Sequence, residues 1–349
     1  MVEITSAATL ALMHDRGPRT LWGVRAGRLH LSQIAWFARL HRDPVTRQRR
    51  RAASRGITLP TLPLRSHRIG EVWGVTMVRD EVDIIDATLD HLLTQDIDHL
   101  LVSDNGSVDG TLEMLQERSR RDHRVHLALD REPAYFQSEK MSLLIRAASR
   151  AGADWVVPFD ADEFWFARDR SVGDTLRRLA HEDPEVGIVS AAFHHMVPAA
   201  DVAKIGPATD FVLDATPSLP GKVAVRAHWL AGVSMGNHFG IRVGSRFPGL
   251  FIAHAVFRSH AQVARKLRQG AAAVNLAGGQ QNVGAHWRYG GILDDAAIAD
   301  VWGRLRDGHA EPALGLPAVG PMVQVRPLSW SRWDPDGVVV AAPTGDGNG

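Results

Sequence analysis

The stretch DWVVPFDADEF, residues 154–164, decides the fold. Its first six residues are almost all apolar, which is typical of a strand buried in a parallel sheet. Two carboxylates, Asp160 and Asp162, follow at the point where this strand ends. Because residues i and i+2 of an extended backbone point to the same side, both carboxylates can face one cation. The stretch therefore predicts a buried strand that brings an acidic pair to one edge of a sheet.

Strand and helix patterns alternate on both sides of this stretch. Strands are predicted at 72–78, 99–103, 124–128 and 186–193, and helices at 83–95, 109–122, 138–151 and 171–181. Such alternation predicts an α/β fold with an open, mostly parallel sheet flanked by helices. Beyond residue 198 the pattern loosens, with short strands predicted at 222–226, 233–238 and 250–256 and a helix at 259–275. We expect an open α/β sheet followed by a looser half.

Two further strand ends carry polar residues. The first strand ends in Arg79, Asp80 and Glu81, and the second runs into DNGSVDGT, residues 104–111. In open α/β sheets, ligands bind beyond the carboxyl ends of the strands. Carboxylates gathered there repel one another unless a cation lies among them. The chain has no Cys, so a metal must be held by Asp, Glu or His, a ligand set that suits Mg²⁺ or Mn²⁺.

Each motif taken singly has a structural explanation. Asp160 and Asp162 fit a turn that caps the next helix, and residues 104–111 fit a turn followed by a capped helix. The chain lacks the glycine pattern of dinucleotide-binding folds and the P-loop pattern, so NAD, FAD and P-loop NTPase chemistry are disfavoured.

The order and spacing of these motifs resemble the family 2 glycosyltransferases of the GT-A fold over about residues 72–275, and most closely a subgroup with an Asp-Ala-Asp-Glu-Phe metal motif. The resemblance implies a Rossmann-like half that binds the nucleotide and a looser half that binds the acceptor. The reaction it implies is an inverting transfer from a nucleoside-diphosphate sugar. It also implies that Mn²⁺ or Mg²⁺ and the ribose lie at Asp160 and Asp162. This resemblance assigns Arg79, Asp80, Glu81, Asp104 and Asn105 to the nucleotide. At the position of Asn105, many members of the family carry a second Asp.

The C-terminal half resembles the same subgroup in three residues. The resemblance implies that His254 completes the metal site, although a structural role for this side chain is an equal alternative. Arg258 and Lys266 are expected to meet the diphosphate, since guanidinium and ammonium groups bind phosphate oxygens.

An inverting transfer needs a base that removes the proton of the acceptor hydroxyl. Glu163, Asp210 and Asp214 are the candidates, and the sequence does not choose among them. Glu163 has the alternative of pairing with a basic residue.

We divide the chain into a basic N-terminal extension (1–70), a GT-A domain (71–290), a C-terminal helical extension (291–334) and a disordered tail (335–349). Residues 1–70 contain thirteen Arg, no Lys and three acidic residues, a balance of +10, and the net charge of +1 leaves −9 for the rest. With an amphipathic segment at 29–40, this extension is expected either to lie on a membrane or to pack on the domain.

The start of the chain lacks the pattern of a secretory leader, so we expect a cytoplasmic protein, at the inner face of the membrane if the extension binds lipid. The acceptor can be a glycan, a lipid or a small molecule, and no nucleic acid partner is expected.

Three other functions compete. A sugar-nucleotidyltransferase shares the sheet and the acidic residues but usually has a glycine-rich basic loop after the first strand, where residues 79–82 read Arg-Asp-Glu-Val. A glycoside hydrolase needs two carboxylates flanking one bond and would not need residues 104–111. A non-catalytic nucleotide-sugar-binding protein of the same fold is the third.

Overall fold

A computed structural model describes residues 31–35, 37–39, 42–63, 66–277, 285–316, 320–336 and 338–340. Its helices are α1 (Pro44–Gly56), α2 (Ile85–Thr94), α3 (Thr111–Arg121), α4 (Gln137–Arg150), α5 (Val172–Glu182), α6 (His260–Leu276), α7 (Ala285–Gly291) and α8 (Asp295–Arg306). Residues 31–35 and 37–39, inside the predicted amphipathic segment, are also helical.

Fourteen strands are present in the described part of the chain. They are β1 (Ile57–Thr58), β2 (Val72–Val78), β3 (His99–Asp104), β4 (Val125–Asp130), β5 (Trp155–Pro158), β6 (Glu163–Ala167), β7 (Val186–Pro198), β8 (Phe211–Asp214), β9 (Ser218–Arg226), β10 (Gly232–Val233), β11 (Gly240–Ile241), β12 (Ser245–His254), β13 (Met322–Val325) and β14 (Val338–Val340).

Twelve of these strands form one sheet, in the order β1-β4-β3-β2-β5-β9-β7-β8-β13-β14, with β12 beside β7 and β6 beside β12. The run β4-β3-β2-β5 is parallel, and β9 then joins β5 in the antiparallel sense. The predicted α/β fold with helices flanking an open sheet is confirmed. Its parallel part is the predicted nucleotide-binding half, and the second half is mixed.

The apolar strands are explained by burial on both faces of the sheet. On β2, Val72 packs with α2 and α5, whereas Trp73 and Val75 pack with α4 on the opposite face. Burying an apolar side chain of this size contributes about 1.5 to 3 kcal/mol. Because both faces are covered, the strands read as continuous apolar runs rather than as an alternation.

The strand register gathers the predicted functional residues at one edge. Val78 pairs with Asp104, and Val75 pairs with Pro158, so β2, β3 and β5 end side by side. After β5 the chain reverses into β6, which pairs with β12 so that Glu163 lies opposite His254. The sequence did not predict β6. Its antiparallel pairing brings His254 next to the acidic motif.

Residues 42–63 and 66–70 are not a separate extension, which corrects the predicted boundary at residue 70. Helix α1 packs against α4, and β1 adds to the edge of the sheet beside β4. Asp154, at the start of β5, accepts a hydrogen bond from the Gly70 backbone (2.9 Å) and contacts His67 (2.8 Å). This part of the chain therefore belongs to the same domain. No described helix has both the length and the apolar character needed to cross a bilayer.

The C-terminal boundaries also need correction. The segment predicted as a helical extension contains α8 but also β13, which pairs with β8 and so extends the main sheet. The predicted disordered tail contains β14, which pairs with β13. Residues 341–349 of that tail lie outside the described residues.

Two predictions in the second half were wrong in detail. The sequence predicts no strand around Asp210 and Asp214, but residues 211–214 form β8. The strand predicted at 233–238 is instead the short hairpin β10–β11, with a 3₁₀ turn at Met235–Asn237. Short apolar runs do not distinguish a strand from a turn by periodicity alone.

Gly173, in the first turn of α5, offers a test of the packing. A Cβ there would lie 2.1 Å from the Asp96 carbonyl oxygen. We expect Gly173→Ala to lower the free energy of unfolding by about 1 to 3 kcal/mol, measured by urea denaturation, because the helix must move away. Gly206→Ala is the control, since nothing lies within 4 Å of its added Cβ. Equal stability of both variants would contradict this packing.

Candidate functional site

Asp160 lies just beyond β5 and is held by a buried ammonium group. Its Oδ2 is 2.5 Å from Lys222 Nζ, and its Oδ1 accepts a hydrogen bond from Asn237 Nδ2 at 3.2 Å. Lys222 is 4% exposed and also pairs with Glu163. Burial alone would lower the pKa of Lys222, but Asp160 and Glu163 outweigh it and raise that pKa. The amine therefore stays protonated between the two acids.

Asp162 lies among three cationic or imidazole groups. It pairs with Lys266, and its Oδ1 lies 3.3 Å from His254 Nε2 while its Oδ2 lies 3.6 Å from Arg258 Nη1. Burial would raise the pKa of this carboxyl, but Lys266, His254 and Arg258 hold it well below its usual value. Asp162 is thus a buried, ionised carboxylate.

Arg258 connects this carboxylate to the loop after β2. Its guanidinium is fully buried, pairs with Glu81 and donates to both oxygens of Asp83 at 2.8 and 3.0 Å. It also donates to the Ala255 carbonyl at 3.2 Å. Burial opposes the charge of Asp83, yet the hydrogen bonds from Arg258 lower the pKa of that carboxyl. The sequence predicts Asp83 only as the first residue of a helix and does not reveal its pairing with Arg258.

The loops after β2 and β3 are tied to each other through Asp80. Its Oδ1 accepts from the Val108 backbone at 2.7 Å, and its Oδ2 accepts from Gln269 Nε2 on α6 at 2.5 Å. Its φ of 55° is uncommon for a residue with a side chain. The neighbouring Arg79 is partly exposed, with Nε 3.9 Å from Asp80 Oδ2.

Asp104 and Asn105 have different environments. Asp104 Oδ2 closes a turn by accepting from the backbones of Gly106 and Ser107 at 3.0 and 3.1 Å, whereas its buried Oδ1 has no hydrogen-bond partner among the described residues. Asn105 donates to the carbonyls of Asp130 and Glu132 at 3.3 and 2.8 Å. Its amide therefore fastens the loop after β4, which differs from the predicted contact with the nucleotide.

Two of the three base candidates have contacts that disfavour the role of base. Glu163 is fully buried; its Oε2 accepts from the Asp160 backbone at 3.0 Å and from Trp165 Nε1 at 3.2 Å, and its Oε1 pairs with Lys222. Asp210 lies on the surface and forms a two-point pair with Arg326 at 2.5 and 3.1 Å. Both predictions are corrected by these contacts.

Asp214 is the third base candidate. It is the last residue of β8, which pairs with β7. Its Oδ1 accepts from the backbones of Thr216 and Gly320 at 2.9 and 3.0 Å. With His195 it lines an apolar cavity of about 40 Å³. The His195 ring in turn lies beside His254, with their Nδ1 atoms 3.2 Å apart. Asp214 thus shares a cavity with a histidine that lies beside His254.

Of the three predicted metal ligands, Asp162 and His254 are the two that the structure brings together. Their 3.3 Å separation is close to the distance of about 3 Å between neighbouring ligands that each lie about 2.1 Å from a Mg²⁺ ion. No three His, Asp or Glu side chains in the described ranges converge into a complete metal site. The predicted set of Asp160, Asp162 and His254 is therefore reduced to a pair, because Asp160 turns to Lys222.

Residues 75–195 match the family model described as Glycosyl transferase family 2. This match includes the ends of β2, β3 and β5 but not His254, Arg258 or Lys266. No curated protein matches the chain.

Three solved structures are similar to the chain at low identity. The mannosyltransferase PcManGT from Pyrobaculum calidifontis, in complex with GDP-Man and Mn²⁺, is 18% identical over 83% of this chain and 88% of that chain, with a TM-score of 0.37. S. aureus TarS 1-349 is 10% identical over 69% and 92%, with a TM-score of 0.34. The glucosyl-3-phosphoglycerate synthase of Mycobacterium tuberculosis, with Mn²⁺, UDP and phosphoglyceric acid, is 16% identical over 64% and 89%, with a TM-score of 0.28.

Replacing Arg258 tests the buried network. We expect Arg258→Met to lower the free energy of unfolding by about 3 to 5 kcal/mol at pH 7, because it removes the cation that Glu81, Asp83 and Asp162 share in a largely buried region. The pKa values of Asp83 and Asp162 are lowered in the folded protein, so this stabilisation is present above pH ~4 and is lost as the pH falls. The difference from wild type should therefore shrink in acid.

Arg326→Met is the matched control for this experiment, because Arg326 pairs with Asp210 on the surface. Its denaturation midpoint should equal that of the wild type. A pH-independent difference for Arg258→Met would show that lost packing, rather than lost charge pairing, causes the effect.

Proposed function

We propose that the protein is a glycosyltransferase that moves a sugar from a nucleoside-diphosphate sugar to an acceptor hydroxyl, with inversion at the transferred carbon. The observation that carries the proposal is the ionised Asp162, buried beside His254 and Lys266 at the edge where β2, β3 and β5 end. The family match over residues 75–195 supports glycosyl transfer as the reaction class.

Asp162 and His254 would hold Mn²⁺ or Mg²⁺, which neutralises charge that develops on a departing diphosphate. Lys266 is the residue best placed to bind the diphosphate itself. Its Nζ contacts Asp162 and lies 3.2 Å from Glu81 Oε1, and its side chain is 19% exposed. Arg258 is fully buried, so we assign it to positioning Glu81 and Asp162 rather than to phosphate binding.

The nucleotide would bind over the ends of β2 and β3. The free Oδ1 of Asp104 is an acceptor suited to an N–H of a base, and the partly exposed Arg79 can approach its edge. For the proton of the acceptor hydroxyl we retain Asp214 as the proposed base, since it lines a cavity with His195 beside His254.

The nucleotidyltransferase alternative finds no support at residues 79–82. That loop contains no glycine, and Asp80 and Glu81 are bound to Gln269 and Arg258. A triphosphate would there meet carboxylates instead of a cradle of backbone N–H groups.

Ligand-induced stabilisation tests the proposal. A ligand that binds only the folded state stabilises it by RT ln(1 + [L]/Kd), so UDP, GDP and dTDP should be screened by thermal shift with and without Mn²⁺. We expect one diphosphate to raise the melting temperature, and more so with Mn²⁺. In Asp162→Ala the Mn²⁺-dependent part should disappear, and sugar transfer should fall at least about a hundredfold.

Asp210→Ala, the same change at a surface carboxylate, is the control and should keep both properties. Stabilisation by a triphosphate alone would favour the nucleotidyltransferase, and nucleotide binding without any transfer or donor hydrolysis would favour the non-catalytic alternative. Full transfer activity in Asp162→Ala at saturating donor would overturn the assignment.

We also propose that α1 lies on an anionic membrane. Arg47, Arg51 and Arg55, spaced by four residues, are all exposed along one side of the helix. Arg49 fixes α1 to the domain through the Ala277 carbonyl at 3.4 Å and the Phe136 ring at 5.9 Å. A basic face held rigidly against the domain fits the charge of a lipid surface.

We expect the triple variant Arg47→Gln, Arg51→Gln, Arg55→Gln to bind vesicles containing phosphatidylserine at least about tenfold more weakly in a flotation assay. Arg120→Gln, Arg121→Gln, Arg124→Gln removes the same charge from the α3 region, near the opposite face of the sheet, and should bind like the wild type. Equal weakening of vesicle binding in both triple variants would show that only the net charge of the protein matters, which would contradict a specific role for α1.

A further inference from the structure

Asn237 reaches the acidic pair from the second half of the fold. It lies in the turn of the β10–β11 hairpin, and its Nδ2 donates to Asp160 Oδ1 at 3.2 Å. The side chain is fully buried. It stands next to Asp160, one of the two carboxylates at which the family resemblance places the ribose and the cation.

The turn that carries Asn237 is fixed on two sides. The Gly236 backbone donates to Gln137 Oε1 on α4 at 2.7 Å. His238 Nδ1 lies 2.9 Å from the Gly221 carbonyl on β9. Within the turn, the Phe239 backbone donates to Ser234 Oγ at 3.1 Å. Asn237 is therefore placed by helix and sheet rather than by a loose loop, as precise recognition requires.

The backbone of Asn237 is in the left-handed region, with a φ of 57°. Glycine adopts this conformation at no steric cost, and residues held there tend to cluster at ligand sites. Glycine at this position would therefore form the same turn without a side chain. The role of Asn237 must then lie in the contacts that its amide group makes.

The amide of Asn237 has one orientation that electrostatics allows. The nitrogen must face Asp160, because an amide oxygen there would oppose a carboxylate oxygen. The carbonyl oxygen Oδ1 then points elsewhere, and it is a buried acceptor without a hydrogen-bond partner in the described part of the chain. Such groups are rare in folded proteins because an unpaired buried acceptor destabilises the fold.

We propose that Asn237 Oδ1 accepts a hydrogen bond from a hydroxyl of the bound donor, while Asp160 accepts one from the neighbouring hydroxyl. This inference rests on the proposed function. Two acceptors side by side, a carboxylate and an amide oxygen, match the two hydroxyl donors of a vicinal diol. The nucleoside-diphosphate sugar carries such a diol on its ribose and another on a transferred hexose.

The variant Asn237→Gly tests this inference, because it keeps the left-handed backbone and removes the amide. Wild type and variant should be titrated by calorimetry with UDP, UDP-glucose, GDP and GDP-mannose in Mn²⁺. We expect about tenfold weaker binding in the variant, the effect of one lost hydrogen bond. Phe239→Ala, in the same turn and with an exposed ring, is the control and should bind as the wild type does.

The pattern of loss identifies the hydroxyl. If the variant binds a nucleoside diphosphate and the corresponding nucleotide-sugar with equally weakened affinity, Asn237 contacts the ribose. A nucleoside diphosphate that lacks the contacted 2′ or 3′ hydroxyl should then bind wild type and variant equally. Weakening for the nucleotide-sugar alone places Asn237 on the transferred hexose. Affinities within twofold of wild type for every ligand, with a folded variant by circular dichroism, would overturn the inference. Absence of nucleotide binding by the wild type would instead overturn the proposed function on which it rests.

Discussion

The arrangement of the site depends on one buried guanidinium. Arg258 holds Glu81 and Asp83 from the loop after β2 and approaches Asp162 from the loop after β5. Three carboxylates so close in a buried region would repel one another without it. Arg258 lies between β12 and α6, so the second half of the chain provides the cation that allows the first half to gather its acids.

Lysines complete this neutralisation and separate the two members of the acidic pair. Lys222 stands between Asp160 and Glu163, and Lys266 stands between Asp162 and Glu81. Asp160 is thereby drawn toward β9 and the hairpin, while Asp162 is drawn toward His254 and α6. The two carboxylates of one motif consequently have different neighbours, which fits different duties toward a bound nucleotide and a cation.

The strands and helices of the parallel half could be predicted because each is specified by a pattern within its own short segment of sequence. Apolar runs, helical spacing and turn residues predicted β2, α2, β3, α3, β4, α4 and β5 to within a few residues. The predicted strand ends also placed Asp104, Asp160 and Asp162 at one edge of the sheet. The second half depends on pairings between distant segments. Sequence spacing does not reveal that β6 reverses onto β12, that Lys222 pairs with Glu163, or that Asn237 reaches Asp160, since these contacts join residues far apart in the chain.

The separations along the chain carry a consequence for synthesis on the ribosome. Lys222 is synthesised 62 residues after Asp160, and Lys266 is synthesised 104 residues after Asp162. Arg258 follows Glu81 by 177 residues. The acids emerge first and their counter-charges last. Until α6 has left the exit tunnel, the ends of β2 and β5 hold carboxylates that only water can solvate. A nascent chain can form the apolar centre of its sheet early, but this rim closes only after α6 has emerged.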